Sequence, residues 1–203
     1  LTGEVQFVRR SIDAFHRKAE ATGAKIVHSC GFDSVPSDLG VHELVRHFAR
    51  TNDSLKRARL YVCFPLQGGV SGGTIASGLG MMEEAKRDPS IRSLMRDPYS
   101  LSTDRKTERG PDAPDSFKVV RDPMIGEWTG PFVMAPFNTR IVRRSSTLLG
   151  YGSDFSYGES IACGTGALGC ARASAIAAGI GALFGALATP PLRPLVMRML
   201  PAQ

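Results

Sequence analysis

The sequence contains no C-x-x-C pair. Its four cysteines, Cys30, Cys63, Cys163 and Cys170, are too widely spaced for a zinc knuckle. Buried, reduced thiols of an intracellular protein are the expectation. Only four residues are Tyr and one is Trp, beside ten Phe. No basic block is longer than a pair, and basic and aromatic residues do not interleave. That argues against nucleic-acid binding. His28, His42 and His47 lack metal-ligand spacing, because an i, i+5 separation puts His42 and His47 on different helix faces. There is no basic segment followed by an apolar run, the mark of a signal peptide. The chain opens with Leu1-Thr2-Gly3-Glu4, as a piece cut from a longer protein would. Acid is missing from the other end. No Asp or Glu follows Glu159, and the twenty residues from Ala173 to Leu192 carry no charge at all.

What is present describes a folded protein. Of 203 residues, 42% are hydrophobic and 22% charged, enough to bury a core in one large or two small domains. The 25 Lys and Arg exceed the 19 Asp and Glu, a net charge of +6 that favours anionic ligands or an acidic surface.

Val5 to Ala21 has the spacing of an amphipathic helix, with Val5, Val8, Ile12, Phe15 and Ala19 on one face and Gly23 as its stop. Ala24 to His28 then reads as a short strand, giving one α/β unit. A second helix is expected over Ser34 to Arg50, with Ser34 as cap, Pro36 in the first turn and Leu39, Leu44, Val45 and Phe48 on its apolar face. Arg57 to Phe64 alternates like a strand, and Thr74 to Arg87 reads as a helix containing Met81 and Met82. Asp88 to Ser116 is polar and Pro-rich. It is expected to be a lid, a binding loop or a disordered stretch with one short helix at Ile91 to Met95. Phe117 to Ile125 and Phe155 to Cys163 read as strands, Trp128 to Pro136 as a loop, and Asn138 to Leu149 as a helix capped by Asn138.

Three glycine-bearing turns stand out. The first, Cys30-Gly31-Phe32-Asp33-Ser34-Val35-Pro36-Ser37-Asp38-Leu39-Gly40, enters the second helix, where backbone N–H groups can face a ligand. Asp33 and Asp38 suit paired acid/base work, and equally suit helix capping or pairing with an Arg. Ser34 lacks the G-x-S-x-G elbow of a hydrolase. The second turn, Gly68-Gly69-Val70-Ser71-Gly72-Gly73-Thr74, either cradles a phosphate or carboxylate or simply bends the chain. The third, Gly164-x-Gly166-x-x-Gly169, is a literal dinucleotide fingerprint. It lacks the acid some 20 residues on that holds the ribose, so close packing of a small-residue helix is the expected use. Ala173 to Leu192 is just long enough to span a bilayer, yet Ala and Gly drive insertion weakly and Pro190-Pro191 would end the helix. Gly181 and Gly185 have the G-x-x-x-G spacing of a helix-pairing face.

The stretches from Ile26 to Gly40 and from Gly68 to Thr74, with Leu1 to Glu4, resemble the saccharopine dehydrogenase-like oxidoreductases, and most closely their trans-acting enoyl reductase branch. The resemblance runs in order over most of the chain. It implies an α/β to α+β protein: the tail of a Rossmann domain over residues 1–30, an α+β substrate and dimerisation domain with a mixed or antiparallel sheet over 31–163, and a small-residue-rich helical segment over 164–203. The cofactor implied is NADP(H), held mainly by a domain upstream of Leu1, with the present chain inactive alone. Thr2, Gly3, Glu4, Gly31 and Phe32 would meet the cofactor. Gly69, Ser71, Gly72, Gly73 and Thr74 would meet the substrate. Asp33, Ser34 and Asp38 would take part in catalysis, with Asp33, Ser34 and a bound water open as proton donor.

The substrate implied is a polyketide or fatty-acyl lipid precursor carried by a synthase, whose carbon–carbon double bond is reduced. A homodimer in the cytoplasm, with peripheral contact at the inner face of the plasma membrane, completes the expectation. Two other readings stand beside it: a non-catalytic lipid-associated protein that keeps the fold, and a saccharopine-type amino-acid dehydrogenase. An Arg-lined cleft would favour the last, an apolar one the acyl substrate.

Overall fold

A computed structural model describes residues 4–63, 80–81, 83–107 and 110–189. Five helices are bounded there: α1 (Val5–Thr22), α2 (Val35–Arg50), α3 (Pro89–Arg96), α4 (Ala135–Leu149) and α5 (Gly166–Ala188). Residues 80–81 and 83–87 are helical as well. Four strands, β1 (Arg57–Cys63), β2 (Val120–Arg121), β3 (Trp128–Gly130) and β4 (Ser156–Ala162), form one sheet in the order β1-β4-β3-β2. Both β2–β3 and β3–β4 are antiparallel, with Val120 opposite Thr129 and Thr129 opposite Ala162. The class is therefore mixed α/β.

The chain falls into two compact units that interleave along the sequence. The first comprises 1–60, 90–115 and 134–158, and the second 61–89, 116–133 and 159–203. In the first unit one core joins Val41 of α2, Ala58 of β1 and Val142 of α4 to Tyr151, Phe155 and Tyr157. Another joins Val5 and Val8 of α1 to Leu94 and Leu101, with Ile12, Phe137 and Ile141 against it. In the second unit Ile161, Cys163 and Ala173 pack with Val62, Val119, Trp128, Phe132 and Ile176.

The helix stops follow backbone rules. Gly23 and Gly150 end α1 and α4 in the left-handed conformation, at φ 71° and 68°, which glycine adopts without steric cost. Pro36 lies in the first turn of α2, as its fixed φ favours.

Several expectations need correction. Ala24 to His28 is not a strand, and Val27 is 62% exposed; without a partner, β propensity alone makes no ladder. On α2 the buried face holds Ser37 and Val41, while Leu39 and Leu44 are exposed, because α2 turns its 37–41 face to the core. On α1, Phe15 is exposed and Arg9 is buried, donating to the Ser102 carbonyl at 3.0 Å. The expected strand over 117–125 shrinks to two residues. Asp122 caps the turn after it by accepting from the Met124 N–H at 2.8 Å. Trp128–Gly130 is a strand rather than a loop. Asn138 lies inside α4 and is buried, so it caps nothing. Cys30 and Cys63 are exposed, Cys163 is buried, and all four cysteines are free.

The stretch from Asp88 to Ser116, expected to be a lid, a binding loop or disordered, is tied down at its described residues. Arg143 donates to Asp112 at 2.8 Å, to the Pro98 carbonyl at 3.3 Å and to the Tyr157 carbonyl at 3.1 Å. Arg140 bonds Asp115 at 2.9 Å and also reaches the carbonyls of Met95 and Pro136. Arg144 donates to the Leu101 carbonyl at 2.8 Å. These three arginines sit at i, i+3 and i+4 on one face of α4. They satisfy carbonyls that an irregular buried segment would otherwise leave unpaired.

Candidate functional site

A groove of about 420 Å³ opens within the first unit, between α1, the 24–28 segment, the start of α2 and α4. Its walls are largely apolar: Val8 and Ile12 from α1, Ile26 and Val27 from the 24–28 segment, Ile141 and Leu148 from α4. Its polar lining residues are Ser11, His16 and Glu20 from α1, His28, Asp38, and Arg144 and Ser145 from α4. An apolar cleft with a few convergent polar groups is the usual form of a small-molecule site.

Asp38 is the chemically marked member. Burial pushes its carboxyl above the usual range, against the opposing effects of a hydrogen bond from Ser145 and the nearby His42. Its Oδ1 is buried and takes no hydrogen bond. His42, one turn along α2, has Nδ1 3.2 Å from the Tyr151 hydroxyl. Burial, with the Asp38 charge adding to it, pushes the Tyr151 phenol up to about 12, so it stays protonated at neutral pH. Burial also lowers the His28 pKa, with the amino-terminal charge and Arg144 adding to it. A carboxyl raised toward neutral pH in a cleft is suited to proton transfer.

The other residues of the 30–40 turn are placed differently. Gly31 and Asp33 are exposed, and Phe32 is 89% exposed. The Ser34 hydroxyl is buried and donates to Asn138 Oδ1 at 2.9 Å, so it ties α2 to α4. Although Ser34 occupies the cap position, it makes no side-chain cap bond. The turn itself closes through Val35 N–H to the Gly31 carbonyl at 3.1 Å. The structure thus brings Asp38 to the groove; Asp33 and Ser34 do not line it. Glu4 is half-buried just before α1. Thr2, Gly3, Gly69, Ser71, Gly72, Gly73 and Thr74 lie outside the described residues.

Sequence reasoning missed Ser145 and Tyr151. Ser145 lies seven residues beyond Asn138 on α4, a spacing that returns to the same helix face. That periodicity was the one available signal, and it does not single out a serine.

The Gly164–Gly169 turn joins β4 to α5, as a dinucleotide fingerprint would. A Cβ on Gly169 would lie 2.1 Å from the Gly164 carbonyl oxygen, so glycine serves close packing there. The Glu127 carboxylate accepts the Gly164 N–H at 3.0 Å. A negative charge at that point opposes a dinucleotide phosphate, and the turn does not fit one. By length and mean hydropathy (1.6) α5 is apolar enough to cross a membrane. It also packs on the sheet, where a Cβ on Gly130 of β3 would lie 3.3 Å from the Ala173 carbonyl oxygen.

Comparison with known proteins gives a consistent set of relatives. A Mycobacterium tuberculosis protein, provisionally named a trans-acting enoyl reductase, is 45% identical over 194 residues, covering 91% of this chain and 46% of its own length. A trans-acting enoyl reductase of Mycobacterium ulcerans is 44% identical over 193 residues, covering 89% and 46%. One of Mycobacterium bovis is 40% identical over 193 residues, covering 91% and 46%. The chain spans about half the length of the curated relatives it matches. Neither a protein-family profile nor a solved structure matches it.

Proposed function

We propose that this chain is the substrate-side part of an NADP(H)-dependent enoyl reductase of the saccharopine dehydrogenase-like type. It would act in trans on an acyl or polyketide chain carried by a synthase. On this reading residues 1–30 close a dinucleotide-binding unit, 31–163 face the substrate and 164–203 supply a small-residue-rich helical segment suited to a homodimer contact. The observation that carries it is Asp38: a half-buried carboxyl with a raised pKa lining a groove with apolar walls, in a chain similar to enoyl reductases over nine-tenths of its length. A saccharopine-type substrate bears several carboxylates and would need several cations. The groove has one arginine, Arg144, which already bonds the Leu101 carbonyl.

NADP(H), when bound, supplies the hydride. Asp38 holds the proton that the adjacent carbon requires, and its raised pKa keeps that proton available closer to neutral pH. Ser145 fixes the carboxyl through its hydrogen bond, while Ser34 and Asn138 hold the start of α2 against α4. The apolar walls exclude water from the reacting carbons.

A chimera tests the proposal. The matching 193 residues of the Mycobacterium ulcerans protein are replaced by this chain. An enoyl thioester should then accelerate NADPH oxidation, and Asp38→Asn should slow it by about 10²-fold or more, the usual contribution of a general acid. A chimera that binds NADPH but oxidises it no faster with the thioester overturns the reading.

A further inference from the structure

The two units differ in the charge they expose. The first exposes acids along its length, Asp13, Asp33, Glu43, Asp53 and Asp154 among them, beside its cations. The second exposes no acid among its described residues. There Glu83, Glu84, Asp88, Glu127 and Glu159 are half-buried and Asp122 is buried, whereas Lys86, Arg87, Lys118 and Arg121 are exposed. The sequence after Glu159 adds Arg172, Arg193 and Arg198 and no acid.

Apolar side chains accompany these cations. Phe117, Val120, Met124 and Ile125 are 52%, 47%, 51% and 39% exposed, with Lys118 and Arg121 among them in the same hairpin. The turn that presents Met124 and Ile125 is held by its own bonds. The Gly126 N–H donates to the Asp122 carbonyl at 2.8 Å, and the Asp122 N–H to the Glu127 carbonyl at 2.8 Å. Asp122 Oδ1 accepts the Met124 N–H at 2.8 Å, so the one acid between Ser116 and Gly126 is turned inward. Arg121 Nε donates to the Gly126 carbonyl at 3.2 Å, which keeps the guanidinium beside the apolar tip.

This combination selects the partner. Cations at separate positions, with apolar side chains between them and no exposed acid, match an extended anionic plane with hydrocarbon beneath it. A nucleic acid would meet the cations and leave Phe117, Met124 and Ile125 in water. On α5 the exposed residues include Ala167, Ala171, Ala175 and Ala178, and alanine enters lipid more weakly than Phe or Ile. The larger side chains of the hairpin are the better insert. We infer that the second unit docks on an anionic membrane surface, with Met124 and Ile125 entering the lipid and Lys118 and Arg121 meeting its phosphates.

The test is flotation of the 203-residue chain with two kinds of vesicle, phosphatidylcholine alone and phosphatidylcholine mixed equally with phosphatidylglycerol. The chain should float with the mixed vesicles, stay behind with the neutral ones, and be released as salt screens the charges. Lys118→Gln with Arg121→Gln should weaken binding about tenfold or more, since each cation near an anionic surface contributes about fivefold. Met124→Ser with Ile125→Ser should also weaken it about tenfold or more. Both side chains are exposed and the backbone bonds of the turn remain, so this variant stays folded, which an unchanged far-UV circular dichroism spectrum checks. Leu168→Ser, at the exposed start of α5, should leave binding unchanged. Absence of flotation, equal flotation with neutral vesicles, or undiminished binding by the variant at Met124 and Ile125 overturns the proposal. Loss of binding with Leu168→Ser alone moves the contact to α5 and overturns the role of the hairpin.

Discussion

Removing the Asp112 carboxylate should destabilise the first unit more than removing any exposed charge. Asp112 and Arg143 are 8% and 4% exposed, and the Arg143 Nε donates to Asp112 Oδ2 at 2.8 Å. The same oxygen accepts the Tyr157 N–H at 3.1 Å. In Asp112→Ala the guanidinium stays buried, with Asp115 at 3.8 Å as its nearest remaining carboxylate. Loss of one partner of a buried pair costs about 3–5 kcal/mol. The orphaned Tyr157 N–H adds about 1–3 kcal/mol, and the residual Asp115 contact offsets part of the total. A net loss of about 3–5 kcal/mol follows, which for a chain of this size lowers Tm by roughly 6–20 °C. Asp112→Asn keeps an acceptor for Tyr157 and should lose less. Urea titration followed by far-UV circular dichroism, with a thermal scan beside it, measures both variants. The double replacement Asp112→Leu with Arg143→Met removes the uncompensated charge but leaves the Pro98 and Tyr157 carbonyls and the Tyr157 N–H unpaired, so it should recover only part of the loss. If Asp112→Ala costs under about 1 kcal/mol, the pair is solvated and the anchoring of 97–115 is misjudged.

Four further outcomes are expected. The Asp38 carboxyl is raised above its unfolded value of 3.8, so the folded state binds more protons and stability falls as pH rises from there through the folded pKa. Asp38→Asn should remove that fall and be the more stable protein at neutral pH, as denaturation at pH 4 and pH 7 would show. Ser29→Gly relieves a left-handed serine worth about 1–3 kcal/mol against a glycine entropy cost of about 0.5–1 kcal/mol, so the midpoint in urea should rise. Gly169→Ala drives a Cβ to 2.1 Å from the Gly164 carbonyl oxygen and should cost about 1–3 kcal/mol. Gly181→Ala meets nothing within 4 Å and should gain about 1 kcal/mol of helix propensity; equal losses at the two positions would refute the packing account of the fingerprint.

The helices were the most legible elements. The 3.6-residue period marked α1, the glycine at 23 stopped it, and Pro36 placed the start of α2. The strands were legible where they are long, at β1 and β4, and illegible at β2 and β3, where two or three residues carry no period. Which helix face is buried was only half readable. Phe15, Leu39 and Leu44 are exposed while Arg9, Arg140 and Arg143 are buried, because each has carbonyl or carboxylate partners far along the chain, 25 to 93 residues away, beside any nearer ones.

The candidate site divides the same way. Local chemistry marks the turn from Cys30 to Gly40, because a run of Gly, Ser, Asp and Pro at a helix start has few other uses. It cannot rank Asp33, Ser34 and Asp38, since position along a turn does not state what each side chain faces. Tertiary contact decides that. Asn138, 104 residues from Ser34, occupies the serine hydroxyl, and Ser145 on the same helix bonds Asp38 in a desolvated groove. Asp33 remains in water. The sequence by itself determined the start of α2, the stops of α1 and α4 and the absence of acid after Glu159, all of which follow from residues within a few positions of one another. Only the tertiary structure decided which carboxylate loses its water, because desolvation is set by neighbours the chain brings together from far apart.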